Sequence, residues 1–331
     1  MLYDLQVLNC IKDLNLYMTN KEKYREFYAA HPDICVFSAP WWLDAVAGDT
    51  WDVILIEEGG SIIASFPYVC IKGKLGVKKI EMPPLTQKLG PYFVYKENMS
   101  YSHKIEYEHS LYQKIIDNLP YHDEFHINFD QCYKNWLPFY WSGFSQSTLY
   151  SYRLTEIKNY EALFKNFAKY KRQKIKKGEN LFAVRYDLPA NDFYDYFLHA
   201  IKIRNDIIGF SFELFTSIYN AAYAANQGKV FYCIDSENKI HAVALIVWDN
   251  TTAYYLIGMR KPEYANSGGT EFLISEMIKY VSQFVDVFDF EGSMIQGVEQ
   301  SFRYYGTQQT EYYSITKVNN KLLKLYRALR S

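Results

Sequence analysis

The alternation and spacing of apolar residues divide the first half of the chain into short helices and strands. One helix begins at Pro40, which suits the first helical position, and stops at Gly48. The turn residues Glu58-Gly59-Gly60 join two β-branched, aromatic runs into a hairpin. The predicted helices of this half span 21–30, 40–48 and 101–118, and the predicted strands span 51–57, 61–71, 77–82 and 124–130.

The second half repeats this order of elements. Its predicted helices span 192–205, 213–225 and 269–284, and its predicted strands span 229–235, 239–247, 251–258 and 285–290. Helices, an antiparallel hairpin, a third strand, a helix and a last strand therefore occur in the same order twice. We predict a duplicated module, with residues 1–152 forming the first module and residues 153–331 the second. A terminal helix from Asn319 to Arg330 is expected to pack back on the body.

The stretch from Val285 to Gly306 is chemically the most informative. Its strand delivers two carboxylates, Asp289 and Glu291, to its C-terminal end, where open α/β sheets usually hold their ligands. A short helix from Ile295 to Tyr305 is predicted to follow. A solvated acidic turn is the alternative interpretation of the same two carboxylates.

Composition and charge are those of an ordinary globular protein. Of 331 residues, 49% are hydrophobic and 22% are charged, and the formal net charge of −1 gives no reason to expect DNA or an anionic membrane as a partner. The 32 Tyr indicate either a compositional bias or an aromatic groove for sugars. Five scattered Cys, no secretory leader and no long apolar run predict a cytoplasmic protein without a membrane span. His122 and His126 would share a strand face, but no third ligand lies near them, so no metal site is predicted.

Residues 165–177 contain seven basic side chains and no acidic one. In one continuous helix, four of them would line one face: Lys165, Lys169, Arg172 and Lys176. Like charges at this spacing cost roughly 0.2–0.5 kcal/mol per pair, which an anionic partner would relieve. A solvated basic face is the alternative. If the run binds an anion, Arg172 and Lys174 are the best candidates for phosphate ligands.

The order of elements resembles the acyl-CoA N-acyltransferase (GNAT) fold, and two such modules in one chain resemble the Fem-type (FemABX-like) transferases. Four segments carry the resemblance: Phe37-Ser38-Ala39-Pro40-Trp41-Trp42-Leu43, Tyr170-Lys171-Arg172-Gln173-Lys174-Ile175-Lys176-Lys177-Gly178, Asp289-Phe290-Glu291-Gly292-Ser293 and Ser301-Phe302-Arg303-Tyr304-Tyr305-Gly306. The resemblance implies an α/β (α+β) fold of two tandem GNAT-like modules, each a mixed, mostly antiparallel sheet flanked by helices.

The same resemblance implies a reaction and its partners. The reaction is transfer of an acyl group from acyl-CoA, a co-substrate rather than a tightly bound cofactor, to an amine on a bacterial cell-envelope or polysaccharide precursor. Aminoacyl-tRNA is the alternative donor. The acceptor in Fem-type relatives is a nucleotide-diphosphate-linked sugar that carries a peptide, and the resemblance implies that Arg172 and Lys174 bind its phosphates. In the GNAT fold the acyl-CoA pyrophosphate lies at a helix start that corresponds here to Ser267, Gly268, Gly269 and Thr270. A capped helix start without a ligand is the alternative.

Two features depart from the Fem-type pattern. Peptidoglycan-building members carry Phe-Lys where this chain has Phe302-Arg303. Some Fem proteins contact tRNA through a coiled-coil arm, and no sustained heptad pattern predicts one here. These departures favour an armless member or a broader acyltransferase branch.

Transfer to an amine requires a base, for which Glu291 and Asp289 are the candidates. Arg303 stays charged and would stabilise an oxyanion or hold a phosphate. Tyr304 is a candidate acid for the leaving group, although a core role is the more common one for such a residue.

The first module is predicted to bind the acceptor without an active site of its own. Its corresponding strand ends at Asp130-Gln131-Cys132 and lacks the Glu-Gly-Ser of the second module. Trp41 and Trp42 are candidate substrate-binding residues. A non-catalytic binding protein on the same fold is the alternative to an enzyme.

Overall fold

The computed structural model describes residues 18–204, 208–292 and 294–328. The helices are α1 (Asn20–Ala30), α2 (Pro40–Ala47), α3 (Tyr101–Asp117), α4 (Leu137–Trp141), α5 (Tyr160–Asn166), α6 (Lys169–Leu181), α7 (Ala190–Arg204), α8 (Phe212–Ala224), α9 (Gly269–Val281), α10 (Gln296–Arg303) and α11 (Lys321–Ala328). The strands are β1 (Trp51–Glu58), β2 (Ser61–Lys72), β3 (Lys78–Ile80), β4 (Tyr92–Phe93), β5 (Glu124–Asn128), β6 (Ser145–Thr155), β7 (Ala183–Arg185), β8 (Gly228–Ile234), β9 (Ile240–Trp248), β10 (Thr252–Met259), β11 (Val287–Asp289) and β12 (Gln308–Val318). None of the helices in these ranges is long and apolar enough to cross a membrane.

Local sequence explains several of these boundaries. Thr19 and Glu22 form a reciprocal capping box at the start of α1, and Pro40 occupies the first turn of α2. Between β1 and β2, Gly59 and Gly60 have φ values of 61° and 81°. Positive φ at both central residues is typical of the type I′ turn, whose twist matches that of the flanking strands.

The strands form one sheet, in the order β1-β2-β3-β5-β12-β6-β11-β10-β9-β8-β7, with β4 paired on β2. The pairs β3–β5 and β10–β11 are parallel, and the other pairs are antiparallel. The predicted fold class, a mixed and mostly antiparallel sheet flanked by helices, is confirmed.

The two halves of this sheet exchange their last strands. β6 follows β5 in sequence but pairs with β11, whereas β12 returns to pair with β5. β6 and β12 also pair with each other, from Arg153 opposite Gln308 to Ser145 opposite Thr316. The sheet is therefore continuous through the predicted module boundary, which lies inside β6.

The predicted elements agree with the structure within a few residues for both hairpins and for most helices. The strands β6 and β12 were not predicted. The prediction of one basic helical face from Lys165 to Lys176 is wrong, because Phe167 and Ala168 have extended backbone and separate α5 from α6. Lys165 therefore belongs to a different helix from the other three residues of that face, Lys169, Arg172 and Lys176. His122 lies before β5, so it does not share a strand with His126.

The hydrophobic core has three parts. One fills the first module and includes Ile315 of β12, and a second lies under one face of the second module's strands. The third lies on the other face of those strands and joins the modules, because Phe37 and Trp42 of the first module pack there with Phe215 and Tyr254 of the second. We call this junction the seam.

Candidate functional site

The site lies where β10 and β11 part. These parallel strands pair only from Thr252 opposite Val287 to Tyr254 opposite Asp289. β10 then continues to Met259, whereas β11 ends at Asp289. The divergence opens the sheet at the C-terminal ends of two parallel strands, and the backbone places Glu291 at that opening.

Asp289 is held by a buried polar network. Its side chain is 0% exposed, and its Oδ2 lies 3.0 Å from Lys88 Nζ and 3.4 Å from Arg153 Nε. Its Oδ1 accepts hydrogen bonds from the Ser151 hydroxyl and, at 2.8 Å, from the Glu291 backbone N–H. Two cations and two donors therefore compensate a carboxylate that has no contact with solvent.

Lys88 reaches this network from the loop between β3 and β4 of the first module. Its side chain is 1% exposed, and its ammonium donates to the Gln131 side chain and lies 3.8 Å from Asp130. Burial by itself lowers the pKa of Lys88, but Asp289 and Asp130 outweigh it and raise the pKa above its ordinary value. Lys88 is thus a charged residue of the first module that contacts the second.

Glu291 is the second carboxylate, and its environment is different. Its φ is 60°, and its backbone carbonyl accepts a hydrogen bond from the Gln87 side chain. Its Oε1 is buried and has no hydrogen-bond partner among the described residues. Burial, and then repulsion by Asp289, raise the pKa of Glu291 well above its ordinary value, whereas Lys88 opposes that rise. One carboxylate is therefore compensated and the other is not.

A cavity of about 220 Å³, the seam cavity, lies beside this network between the two modules. Charged and polar side chains line it: Asp33, Lys88, Asp130, Gln131, Arg153, Asp249 and Tyr254. Asp249 is 2% exposed and accepts hydrogen bonds from the backbone N–H groups of Val36, Thr251 and Thr252. Its pKa is raised by burial, although these bonds oppose the rise.

A second depression, the basic cleft, has a volume of about 410 Å³ and lies between α6, the start of α9, and α10. Lys171 is 4% exposed and its ammonium lies 3.4 Å from Glu271 and 3.2 Å from the Ser301 hydroxyl. Lys174 shares the same Glu271 oxygen at 3.1 Å. Burial lowers the pKa of Lys171 despite Glu271, whereas Lys171 and Lys174 together outweigh the burial of Glu271 and lower its pKa. Two cations thus share one carboxylate.

The predicted site residues Arg303 and Tyr304 lie at the end of α10, beside this cleft. Tyr304 lines it and packs edge-on against Tyr170, with ring centroids 5.3 Å apart. The Arg303 side chain is 57% exposed and forms an ion pair with Glu299 at 3.6 Å. Of the two side chains, only Tyr304 lines the cleft, whereas Arg303 is mostly exposed.

The two phosphate-ligand candidates have different surroundings. Arg172 donates to the backbone carbonyls of Lys165 (2.8 Å) and Phe167, and so fixes the end of α5. Lys174 lines the basic cleft and is 31% exposed. Of the two candidates, only Lys174 lines a cleft.

The predicted donor junction starts α9. The Ser267 hydroxyl accepts a hydrogen bond from the Gly269 N–H at 3.1 Å, and Gly268 has a φ of 89°. A Cβ at Gly268 would lie 3.0 Å from the Lys174 carbonyl oxygen, so α6 crosses close to this turn. The Thr270 hydroxyl is buried and has no hydrogen-bond partner among the described residues.

Trp41 and Trp42 both contribute to the seam. Trp42 is 0% exposed and its indole N–H donates to the Thr86 hydroxyl at 2.9 Å. The indole N–H of Trp41 donates to the Gln227 side chain at 2.6 Å and so bridges the modules. Neither residue lines the seam cavity or the basic cleft.

Sequence reasoning found Asp289 and Glu291 but missed three of their partners: Lys88, Ser151 and Arg153. Each stands alone in a segment without a charge cluster, and Lys88 is 201 residues from Asp289. Only the pairing of β6 beside β11 brings Ser151 and Arg153 to the carboxylates.

No protein-family model matches the sequence, and no curated protein matches it. Solved structures do match. FemX superimposes with a TM-score of 0.69 at 15% identity, over 95% of this chain and 99% of FemX. A conserved protein of unknown function from Bacteroides thetaiotaomicron superimposes with a TM-score of 0.54 at 12% identity, over 84% of this chain and 90% of its own.

These likenesses define the class of fold: two modules that share one mixed, mostly antiparallel sheet flanked by helices. Within that class the chain has the fold of FemX, which it matches nearly end to end. The predicted resemblance is confirmed at the level of the fold.

Proposed function

We propose that the protein transfers an acyl or aminoacyl group to an amine and that Glu291 is the general base. One observation carries the proposal: a buried carboxylate oxygen without a partner, beside a fully compensated carboxylate, where two parallel strands part. Carboxylates in such different environments take different roles in acid–base catalysis.

In the proposed step, each bond formed and each proton released is accounted for. The acceptor ammonium first loses one proton to water. The neutral nitrogen then attacks the acyl carbonyl, a C–N bond forms, and the nitrogen passes a second proton to Glu291. The tetrahedral intermediate then loses a thiolate from acyl-CoA or an alkoxide from an aminoacyl ester, and that leaving group takes up a proton, for which Tyr304 is a candidate donor. Because its pKa is raised above the ordinary carboxyl range, Glu291 is a stronger base than an exposed glutamate.

We propose acyl-CoA as the donor, bound with its phosphates near Lys174 and the start of α9. The net positive charge of the Lys171, Lys174 and Glu271 cluster supports an anionic donor. Aminoacyl-tRNA is the second candidate. The close crossing of α6 over Gly268 favours it, because that crossing restricts the room for a pyrophosphate.

We propose the seam cavity as the site of the acceptor amine. Asp33 and Asp130 line it and suit a protonated amine before it reacts. The resemblance to Fem-type transferases implies an amine on a nucleotide-linked or other phosphate-bearing envelope precursor, which is larger than this cavity and would extend beyond it.

The donor is tested by thermal unfolding with acetyl-CoA and, separately, with aminoacylated tRNA. A ligand at 100 times its Kd should stabilise the protein by about 2.7 kcal/mol. Lys174→Ala should abolish the shift, whereas the matched exposed variant Lys177→Ala on the same helix should keep it. A shift with acetyl-CoA alone supports the first donor, and a shift with charged tRNA alone supports the second. No shift with either contradicts both.

The base is tested in Glu291→Gln once a donor is known. General-base catalysis typically contributes about 10²- to 10⁴-fold, so we expect kcat to fall by about that factor while the far-UV circular dichroism stays unchanged. The exposed variant Glu26→Gln on α1 is the control. Wild-type protein that binds the donor but turns over no amine would instead favour a binding protein on this fold.

A further inference from the structure

Lys88 belongs to the first module and is buried against Asp289, at the end of β11 in the second module. The ammonium and the Asp289 carboxylate lie 3.0 Å apart, with side chains 1% and 0% exposed. A buried ammonium is costly unless it is paired and hydrogen-bonded, and here Asp289 and Gln131 supply those contacts. The chain therefore keeps a charge at the seam that an apolar side chain could replace.

The Asp289 carboxylate has enough compensating partners without Lys88. Arg153, the Ser151 hydroxyl and the Glu291 backbone N–H already face the Asp289 carboxylate. Glu291, by contrast, has a buried oxygen without a partner among the described residues. The Glu291 backbone N–H donates to Asp289 at 2.8 Å. A change in the position or charge of the Asp289 carboxylate therefore changes the position and the electrostatic environment of Glu291.

We propose that Lys88 is a positioning residue supplied by the first module and that its charge sets the pH at which the Asp289–Glu291 pair releases its proton. The inference rests on the proposed role of Glu291 as the base. It makes the first module part of the catalytic centre as well as the predicted holder of the acceptor.

The groups around Lys88 come from several elements. The titratable and charged residues that face it are Cys35, Asp130, Arg153, Tyr254, Asp289, Glu291 and Tyr312. At neutral pH two cations, Lys88 and Arg153, therefore oppose the three carboxyl groups of Asp130, Asp289 and Glu291. Without Lys88 a single cation opposes the same three groups, so the pair should hold its proton more tightly.

The test is a titration of ¹³C-carboxyl-labelled Asp and Glu by NMR, which needs no substrate. The Glu291 signal is assigned by its loss in Glu291→Gln. In Lys88→Met we expect the midpoint of the pair to move to higher pH by about one pH unit or more. Lys88→Arg keeps the charge and should titrate like the wild type. A merely structural Lys88 would lower the melting temperature in both variants and leave the midpoint unmoved, which would overturn the proposal.

A second pair of variants tests the inference if Lys88→Met does not fold. Asp130→Asn removes a carboxylate that competes for Lys88, so the midpoint should move to lower pH. Asp33→Asn removes a carboxylate of the same cavity that bonds to Tyr92 instead, and it should leave the midpoint in place. An unmoved or raised midpoint in Asp130→Asn contradicts the proposal. If the titration midpoint shifts in these variants but the protein has no transferase activity, the proposed function is wrong and the proposed role of Lys88 in the titration stands.

Discussion

At the scale of single residues, the backbone after β11 is under local constraint. Glu291 and Gly292 have φ values of 60° and 68°, a region that L-residues other than Gly adopt at some cost. A Cβ at Gly292 would also overlap the Tyr150 carbonyl oxygen and lie 2.6 Å from the Ser151 Cα. Gly292 therefore lets the chain pass close to β6 and brings the Glu291 N–H to Asp289.

Replacing Gly292 should be costly. We expect Gly292→Ala to lower the free energy of unfolding by about 2 kcal/mol or more, because it combines an unfavourable φ with a steric overlap. Urea denaturation measures the loss. Gly297→Ala in α10 meets no atom within 4 Å, and as a helical substitution it should stabilise by roughly 0.5–1 kcal/mol. Equal losses in both variants would contradict the steric argument.

The raised pKa of Glu291 predicts a specific dependence of stability on pH. The folded state binds the Glu291 proton more tightly than the unfolded chain, so this residue stabilises the fold at low pH. That contribution falls as the pH rises above the unfolded carboxyl pKa towards the folded one. Glu291→Gln should therefore gain melting temperature relative to the wild type at pH 8 and gain less at pH 5. The exposed control Glu26→Gln on α1 should show the same difference at both pH values, and so would Glu291→Gln if the argument is wrong.

Sequence could identify only part of the residue-scale site. Asp289 and Glu291 were predicted because both lie in one short stretch at a strand end. Ser151 could not be predicted as their partner, since it lies 138 residues from Asp289 and carries no distinctive neighbour. A network assembled across strands leaves no local pattern.

At the scale of elements, the crossing of α6 and α9 determines the shape of the basic cleft. Gly178 of α6 is buried, and a Cβ there would lie 2.5 Å from the Cβ of Phe272 in α9. The helices can approach this closely only because Gly178 has no side chain. The approach brings Lys171 and Lys174 of α6 to Glu271 of α9.

Gly178→Ala should lower the free energy of unfolding, whereas an ordinary Gly-to-Ala change in a helix raises it. A Gly-to-Ala change inside an exposed helix gains roughly 1 kcal/mol, but here overpacking should cost about 1–3 kcal/mol. Urea unfolding of Gly178→Ala, Phe272→Ala and the double variant forms a double-mutant cycle. We expect the double variant to lose less than the sum of the single losses, because removing the Phe272 ring makes room for the methyl group. A net gain in Gly178→Ala would refute the close crossing.

The elements themselves were largely predictable, and the failures have physical causes. The hairpins carry Gly-rich turns and dense apolar alternation. The basic run was predicted as one helix because its spacing is helical throughout, but the extended backbone of Phe167 and Ala168 interrupts it. Phe167 is buried against Tyr305, with ring centroids 5.2 Å apart, so tertiary packing overrides the local pattern.

At the scale of the whole molecule, the exchange of β6 and β12 joins the modules. Ile315 of β12 is buried in the first module's core, although it comes from the end of the second module's sequence. The duplication could be predicted from the repeated order of elements. The exchange could not, since an alternating strand fits either partner and only the complete sheet decides its register.

This exchange predicts a single cooperative unfolding transition. Calorimetry should give a calorimetric enthalpy equal to the van't Hoff enthalpy, because neither half of the sheet is complete without a strand from the other. Ile315→Ala should lower the melting temperature of that whole transition, with a cost of about 2–5 kcal/mol. The exposed Gln309→Ala on the same strand should have little effect. Two resolved transitions, of which Ile315→Ala moves only one, would contradict the coupling.

The exchanged strands also constrain how the protein can be made. On the ribosome β5 is complete at Asn128, but its neighbour β12 ends only at Val318, 190 residues later. At about 5–20 residues per second this is a delay of roughly 10–40 s. During that interval the first half of the nascent chain carries an unpaired strand edge, the kind of surface that other chains can join. The first module is therefore synthesised first but completed last. Its correct folding requires that the free edge of β5 does not pair with another chain before β12 emerges.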